Sequence, residues 1–263
     1  MRNNLCVITF FYPGVENNIK KFFSSLTKQS DKNFDLIIFF NNKKKFTLPK
    51  NKIKISIFTM NKSINSSRFE MINKIRKLDY KYFIFQDADD LMGLNRVEVC
   101  KNLLKNNSIV VNDLEIYGGK IFKKYFSSRI KDGTKITAKN IIHYNICGMS
   151  NTSIRKKCLN NVTIPTNKKI KIFDWYLWTI ILSKYKAIYT NKTVTKYYTN
   201  NKSATCIPSE NNKNIKSRVI SIKNAHRKII DKLIMTKKIK DINFLNKGKI
   251  ITNSKYNFWW ETN

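Results

Sequence analysis

The chain has 263 residues, and 42% of them are hydrophobic, which is enough for one large domain or two small domains with a sizeable core. Its 51 lysines and arginines against 17 aspartates and glutamates give a formal net charge of +34. Five scattered cysteines without a C-x-x-C pair, together with only two histidines, argue against a zinc site and a disulfide framework and favour a reducing compartment.

The positive charge is open to two interpretations. Lysine, asparagine and isoleucine are all abundant while arginine is scarce, a pattern typical of an AT-rich genome. The other interpretation is attraction to something anionic, namely a nucleic acid, a nucleotide substrate or an acidic membrane. Proteins that read bases most often use bidentate contacts from arginine, which is scarce here, and no nucleic-acid-binding motif is evident. We therefore expect no nucleic-acid partner.

The first half of the chain alternates continuous apolar runs with amphipathic ones. These runs predict strands over residues 5–12, 34–40, 53–57, 82–85 and 109–111, and helices over 19–26, 64–78 and 94–104. Continuous apolar strands separated by helices are typical of a parallel sheet with both faces covered, a Rossmann-like α/β layer. In such sheets ligands bind beyond the carboxyl ends of the strands.

Three carboxylates follow the fourth predicted strand, at Asp87, Asp89 and Asp90. Carboxylates that leave the end of a buried strand together repel one another unless a cation lies between them, and hard ions such as Mg²⁺ and Mn²⁺ prefer such oxygen ligands. The alternation of Asp87 and Asp89 sends both side chains to one side of an extended backbone. The alternative is a polar turn in which Asp89 or Asp90 caps the following helix.

The second half is less regular. We predict a turn at Gly118 and Gly119, an antiparallel strand over 121–126, a loop that enters a strand over 147–155, an apolar helix over 171–182, short strands over 187–190 and 194–198, and a basic helix over 212–240. Asp174 lies in the first turn of the apolar helix, where an aspartate is often simply an N-cap.

Several short motifs occur in an order and at spacings that resemble those of glycosyltransferase family 2, whose members are inverting GT-A enzymes that use nucleotide-diphospho-sugars. The motifs are VITFFYPG at 7–14, SSLTKQS at 24–30, LIIFFNN at 36–42, NSSRF at 65–69, DADD at 87–90, Asp174, and YYTNNKS at 197–203. The chain departs from the family at Asn41, which replaces an aspartate, and at Asn200, which stands where a histidine is expected.

The resemblance implies a GT-A Rossmann-like, mostly parallel sheet flanked by helices, with a helical C-terminal extension. The implied catalytic domain spans residues 1–205, with a nucleotide-sugar half at about 1–115 and an acceptor half at about 116–205, and the basic extension spans 206–263. The implied function is metal-dependent, inverting transfer of a sugar from a nucleotide-diphospho-sugar to a hydroxyl of a bacterial surface glycan or a lipid-linked precursor. The alternatives are a sugar-nucleotidyltransferase and a basic nucleic-acid-binding protein without catalysis.

The family motifs also imply roles for particular residues. The donor would be bound by Thr9, Phe11, Tyr12, Asn41, Arg68, Asp87 and Asp89. Asp89 would be the direct ligand of Mn²⁺ or Mg²⁺, and Asp87 would orient the ribose or a metal-bound water. Arg68 would reach the pyrophosphate or the base. Asp174 would be the general base that takes the proton of the acceptor hydroxyl.

The end of the chain combines basic and apolar features. In the predicted basic helix, lysines and arginines lie beside an apolar stripe, and Phe258, Trp259 and Trp260 follow near the end. No apolar run approaches the roughly 18 residues that span a bilayer, so we expect a cytoplasmic protein. Basic helices with an apolar face, together with interfacial tryptophans, suit peripheral attachment to the inner face of the cell membrane. The alternative is that the stripe packs against the catalytic domain and the lysines are solvated.

Overall fold

The structure is a computed structural model that describes residues 3–40, 47–118, 121–142, 144–167, 169–199 and 213–239. Its strands are β1 Leu5–Phe11, β2 Asp35–Phe40, β3 Ile55–Thr59, β4 Tyr82–Phe85, β5 Leu91–Met92, β6 Ile109–Tyr117, β7 Lys135–Ile136, β8 Thr152–Arg155 and β9 Ala187–Tyr198. Its helices are α1 Ile19–Thr27, α2 Ile64–Lys77, α3 Arg96–Leu104, α4 Ala138–Ile141, α5 Lys156–Asn160, α6 Phe173–Leu182 and α7 Lys213–Met235, and a short 3-10 helix spans Glu16–Asn18. The short elements β5, β7, α4 and α5 are absent from the prediction.

Within the described ranges the strands form one nine-stranded sheet in the order β3-β2-β1-β4-β8-β6-β9-β5, with β7 paired to β9. The first four strands of this order run parallel, and so do β6 and β9. Between them, β8 is antiparallel to both β4 and β6. The parallel ladders hold most of the paired residues, which confirms the predicted Rossmann-like sheet.

Alternate residues of β1 enter two different hydrophobic cores, one on each side of the sheet. Cys6 and Ile8 belong to the core that α2, α6 and α7 cover, whereas Leu5 and Val7 belong to the core that α1 and α3 cover. All seven residues of β1 are buried. Burial on both faces explains why this strand is continuously apolar in the sequence instead of alternating with polar residues.

Two predicted parts of the second half are wrong. The antiparallel strand predicted over 121–126 is a single bridge between Ile116 and Phe122, followed by turns. The strands predicted over 187–190 and 194–198 are one strand, β9, whose ladder with β6 shifts register at its middle. Asn191 and Lys192 are exposed at that point, so they interrupt the apolar pattern without ending the strand.

The apolar stripe of α7 packs against the rest of the protein. Four of its side chains, each at most 8% exposed, join the same core as α2 and α6: Val219, Ile222, Ile230 and Leu233. His226 stacks on Trp175, with ring centroids 3.8 Å apart and an angle of 7° between the planes. Of the two interpretations of the basic helix, the structure therefore favours the packed stripe. The predicted boundary at 205 and the aromatic segment over 258–260 lie outside the described residues.

Candidate active site

A cleft of about 1410 Å³ opens at the carboxyl ends of β1 and β4. It is lined by α2 and the residues just before it, by part of the 166–174 segment up to the first turn of α6, by the three aspartates that follow β4, and by Tyr12, Tyr197 and Tyr198. This is the edge of the sheet at which the sequence predicts that a ligand binds.

The charge of the cleft differs from that of the whole chain. Five carboxylates line it, against three cations; the carboxylates are Glu70, Asp87, Asp89, Asp90 and Asp174, and the cations are Lys62, Arg68 and Lys171. In a chain where cations outnumber carboxylates 51 to 17, acids are concentrated at this one site, where a bound cation would reduce their mutual repulsion.

Asp87 is held in place by Ser150 on the loop before β8. The backbone N–H of Asp87 donates to Ser150 Oγ at 3.0 Å, and the Ser150 hydroxyl donates to Asp87 Oδ2 at 3.2 Å. Arg68 Nη2 on α2 lies 3.9 Å from Asp87 Oδ1, and each of these two side chains is less than a quarter exposed. Asp87 and Arg68 both line the cleft, and a guanidinium is a group that pairs well with anionic ligands.

Asp89 is held by Tyr12, the residue that follows β1. The Tyr12 hydroxyl donates to Asp89 Oδ2 at 2.7 Å. Burial and the nearby charge of Asp87 raise the pKa of Asp89, while the hydrogen bond from Tyr12 lowers it. Burial, together with the charge of Asp89, also raises the pKa of Tyr12, so that the phenol remains a donor.

Asp90 is buried behind the other two aspartates and is 1% exposed. Its Oδ1 accepts the backbone N–H of Tyr198 at 2.7 Å, and its Oδ2 has no hydrogen-bond partner among the described residues. Burial raises the pKa of Asp90, and the charges of Asp89 and Asp87 raise it further. The N-cap residue of α3 is Asn95, so the alternative that one of these aspartates caps the helix is not supported.

The acidic cluster fits a divalent cation that shares its ligands with a substrate. Burial raises the pKa of Asp89 and Asp90, and the charges of the neighbouring carboxylates raise it further. Asp90 Oδ2 also has no hydrogen-bond partner among the described residues. A divalent cation beside these carboxylates would reduce their mutual repulsion. Within the described ranges no group of three or more His, Cys, Asp and Glu side chains is arranged to hold a metal. Asp87 and Asp89 would therefore need additional oxygen ligands, such as those of a diphosphate and water.

Asp174 lies in the first turn of α6 but does not cap the helix, because the N-cap residue is Ile172. Its Oδ1 accepts the backbone N–H of Trp175 at 2.8 Å, and its Oδ2 accepts Asn145 Nδ2 at 3.3 Å. Burial raises the pKa of Asp174, whereas the positive charge of Arg68 lowers it. The result is a carboxyl group at the edge of the cleft whose proton affinity exceeds that of an ordinary aspartate.

The structure separates the predicted donor-binding residues into two groups. Tyr12 and Arg68 line the cleft together with the aspartates. Thr9 is 1% exposed within β1, and the ring of Phe11 packs against Phe22 of α1 with centroids 5.8 Å apart. Neither of these side chains lines the cleft, because β1 is buried on both faces and only the residue after its end emerges. Asn41 lies outside the described residues.

Two supporting residues have no counterpart in the sequence prediction. Arg96 is fully buried beneath the acidic cluster, where its Nε donates to Asn112 Oδ1 at 2.8 Å and its Nη2 to the carbonyl oxygen of Phe85 at 2.9 Å. Its Nη1 donates to Gln86 Oε1. Asn145 is the other, through its contact with Asp174. The only sequence signal for Arg96 is that an arginine occurs among the apolar residues of a predicted helix. Asn145 has no such signal.

Neither a protein-family model nor a curated protein matches the sequence. Among solved structures, TarS 1-349 of S. aureus in complex with UDP aligns with a TM-score of 0.60 and 15% identity, over 75% of this chain and 61% of that chain. The same protein in complex with UDP-GlcNAc gives a TM-score of 0.57 and 14% identity, over 93% of this chain and 72% of that chain. GalNAc-T7 with UDP, GalNAc and Mn²⁺ gives a TM-score of 0.54 and 10% identity, over 75% of this chain and 44% of that chain.

In two of the matched TarS 1-349 structures the chain spans only about three fifths of the TarS chain. These similarities show that the chain has a GT-A fold, which confirms the fold that its motifs predict.

Proposed function

We propose that this protein is a metal-dependent, inverting glycosyltransferase that moves a sugar from a nucleotide-diphospho-sugar to a hydroxyl of a glycan or a lipid-linked acceptor. The observation that carries the proposal is that Asp87, Asp89 and Asp174 line one cleft, with Arg68 beside Asp87. The UDP, UDP-GlcNAc and Mn²⁺ named for the similar structures support a nucleotide-sugar donor and a divalent metal.

In this proposal Asp87 and Asp89 hold Mn²⁺ or Mg²⁺ together with the donor diphosphate. The ion, when bound, neutralises the negative charge that the departing diphosphate acquires. Tyr12 keeps Asp89 oriented through its hydrogen bond, and Ser150 does the same for Asp87. The guanidinium of Arg68, which lies beside Asp87, pairs with a phosphate oxygen of the donor.

Asp174 acts as the general base in the transfer. The acceptor oxygen forms a bond to the anomeric carbon as its proton passes to the Asp174 carboxylate, and the bond from that carbon to the diphosphate breaks. Attack from the face opposite the leaving group inverts the configuration. Hydrogen bonds from Asn145 and from the Trp175 N–H orient the carboxylate, while burial raises its pKa so that it accepts a proton more readily.

Two features favour this reaction over the alternatives. A sugar-nucleotidyltransferase would need a glycine-rich phosphate loop after β1, but this segment is a short turn with one glycine, Gly14, that leads into the 3-10 helix. A nucleic-acid-binding protein would place cations where it contacts phosphates. The cleft instead contains more carboxylates than cations.

A panel of nucleotide-sugars tests the proposal by thermal stabilisation. We expect at least one UDP-, GDP- or dTDP-sugar to raise the melting temperature by about 5 °C or more at saturating concentration, because ligand binding stabilises the folded state. The rise should require Mn²⁺ or Mg²⁺ and should disappear in EDTA. Stabilisation by DNA or RNA but by no nucleotide-sugar would contradict the proposal.

We further propose that the exposed basic face of α7 binds anionic lipids, which would bring the enzyme to a lipid-linked acceptor. No helix in the described part of the chain has the length and hydropathy of a membrane span. Since the apolar stripe packs into the core, attachment would be electrostatic. It would use three exposed lysines: Lys228 and Lys232 on α7, and Lys238, which follows the end of the helix. Each cation near an anionic leaflet contributes about 1 kcal/mol before screening.

Charge reversal tests the lipid proposal better than deletion, because removing α7 would also remove the buried Ile230 from the core. We expect the triple change of Lys228, Lys232 and Lys238 to glutamate to abolish salt-sensitive co-sedimentation with phosphatidylserine vesicles.

The matched control for this experiment replaces three exposed lysines of α1 and its end, Lys20, Lys21 and Lys28, with glutamate. These residues lie on the helix that covers the opposite core. Equal loss of binding in both triple variants would show that net charge alone is responsible, and no binding by the unmodified protein at low salt would refute the proposal.

A further inference from the structure

A second, smaller cavity of about 60 Å³ adjoins the cleft. Asp87, Asp174 and Tyr197 border both spaces, so the small cavity opens between the proposed metal-binding carboxylate and the proposed base. The anomeric carbon of a donor sugar must lie between these same two groups during transfer. A group attached to the sugar ring close to that carbon would therefore be directed toward the cavity.

The size of the cavity selects a substituent rather than a second sugar. Each water-sized group requires roughly 10–15 Å³ of the space that is open to its centre. On this measure, a cavity of about 60 Å³ takes about four non-hydrogen atoms. A hexose has about three times as many and does not fit. The cavity is also larger than a single hydroxyl group requires.

The lining of the cavity is mostly apolar. Leu114, Phe126, Ile146 and Met149 border it, and all four are buried. Ser150 also borders it, but its hydroxyl is already engaged with Asp87.

Asn151 also borders the cavity, and both ends of its amide are satisfied. Its Oδ1 accepts the Gly148 N–H at 2.7 Å, and its Nδ2 donates to the carbonyl oxygens of Asn112 and Ile146 at 3.1 Å. These groups leave little for a polar ligand to bind.

Asn145 is the exception. It is 8% exposed, its Nδ2 donates to Asp174 Oδ2 at 3.3 Å, and its Oδ1 has no hydrogen-bond partner among the described residues. A carboxylate only accepts hydrogen bonds, so the contact with Asp174 fixes which end of the amide is the nitrogen. A buried acceptor without a partner is costly, and a ligand N–H or O–H would satisfy it.

These features define the substituent. It has about four non-hydrogen atoms, an apolar end for Met149 and its neighbours, a hydrogen-bond donor for Asn145, and no negative charge, since Asp87 and Asp174 border the space. An acetamido group meets all four conditions. We propose that this cavity receives the acetamido group of the donor, so that the protein is selective for nucleotide-linked 2-acetamido sugars. This inference rests on the proposed glycosyltransferase function.

Calorimetric titration with Mn²⁺ present separates this inference from the proposed function. We expect UDP-GlcNAc to bind at least about tenfold more tightly than UDP-glucose, which differs only in carrying a hydroxyl in place of the acetamido group, with UDP itself as the reference. Equal binding of the two sugars, or tighter binding of UDP-glucose, would overturn the acetamido inference while leaving the proposed function intact. No binding of UDP or of either sugar would overturn this inference, and the proposed function would fail with it only if no nucleotide-sugar of the thermal panel stabilises the protein.

Filling the cavity provides a second test. Met149→Phe adds volume at the apolar end, and we expect it to remove the preference for UDP-GlcNAc over UDP-glucose. Met149→Leu conserves the volume and should keep the preference. Melting temperatures and UDP binding check that each variant is folded. If a variant does not fold, the comparison of the two sugars on the unmodified protein still tests the inference. An undiminished preference in a folded Met149→Phe protein would contradict the assignment of this cavity.

Discussion

Replacing Asp174 by asparagine is expected to lower turnover by about 10²–10⁴-fold, the usual contribution of a general base. Asparagine has nearly the same shape and can still accept the Trp175 N–H through its oxygen, so the fold and the donor affinity should change little. The change removes the capacity to take a proton from the acceptor, together with the oxygen that accepts the hydrogen bond from Asn145. Single-turnover rates with a preformed donor complex would measure this loss directly.

The pH dependence of the same reaction provides an independent check. Burial raises the pKa of Asp174, and only the deprotonated carboxylate can act as the base. Turnover should therefore fall as the pH drops through this raised pKa, at a higher pH than an ordinary aspartate would give. Asp174→Asn should lose this acidic limb. A variant that keeps both full turnover and the limb would exclude Asp174 as the base, whatever its effect on the melting temperature.

Replacing Asp89 by alanine is expected to abolish metal-dependent binding of the donor. Removing the carboxylate takes a charged oxygen ligand from the proposed ion and leaves the Tyr12 hydroxyl without its acceptor. In calorimetric titrations of UDP with Mn²⁺, we expect the affinity to fall by about 100-fold or more. Because protonation of Asp89 competes with the cation, binding to the unmodified protein should also weaken as the pH falls through the raised pKa of this group.

The matched control is Asp132→Ala, which removes a carboxylate that does not line the cleft and lies 3.9 Å from Lys192. Its UDP affinity should equal that of the unmodified protein. Unchanged UDP binding by Asp89→Ala, or equally tight binding by the unmodified protein in EDTA, would refute the metal site.

The parallel half of the sheet and the acidic cluster could be predicted from the sequence because both depend on local pattern. A strand buried on two faces has to be continuously apolar, and 82–85 is such a run, so its end and the position of Asp87 follow directly. The helical spacing of Phe69, Ile72 and Ile75 likewise determines which side of α2 is buried and which side carries Arg68 toward the cleft.

The parts that could not be predicted depend on contacts between residues far apart in the chain. The role of Asn145 could not be predicted because it depends on a contact with Asp174, which lies 29 residues later in the chain. Arg96 looks like a surface residue at the start of an amphipathic helix, yet it is buried against Phe85 and Asn112.

Thr9 and Phe11 show the opposite error, because the sequence predicts a contact with the donor and the structure places both side chains away from the cleft. Their motif resembles a donor-binding one, but their side chains lie inside β1, between two cores. The apolar stripe of α7 is equally compatible with a membrane and with a protein core, and only its contacts with α6, such as His226 on Trp175, distinguish the two.

The configuration of the first sugar product tests the central claim most directly. The unmodified protein would be incubated with Mn²⁺ and the α-linked UDP-sugar that stabilises it most, with water as the acceptor. Proton NMR would record the released sugar before its anomers equilibrate. Direct displacement with Asp174 as the base predicts that the β anomer appears first and that UDP is released with it. Initial release of the α anomer, or release of a sugar phosphate and UMP instead of UDP, would contradict inverting glycosyl transfer at this site.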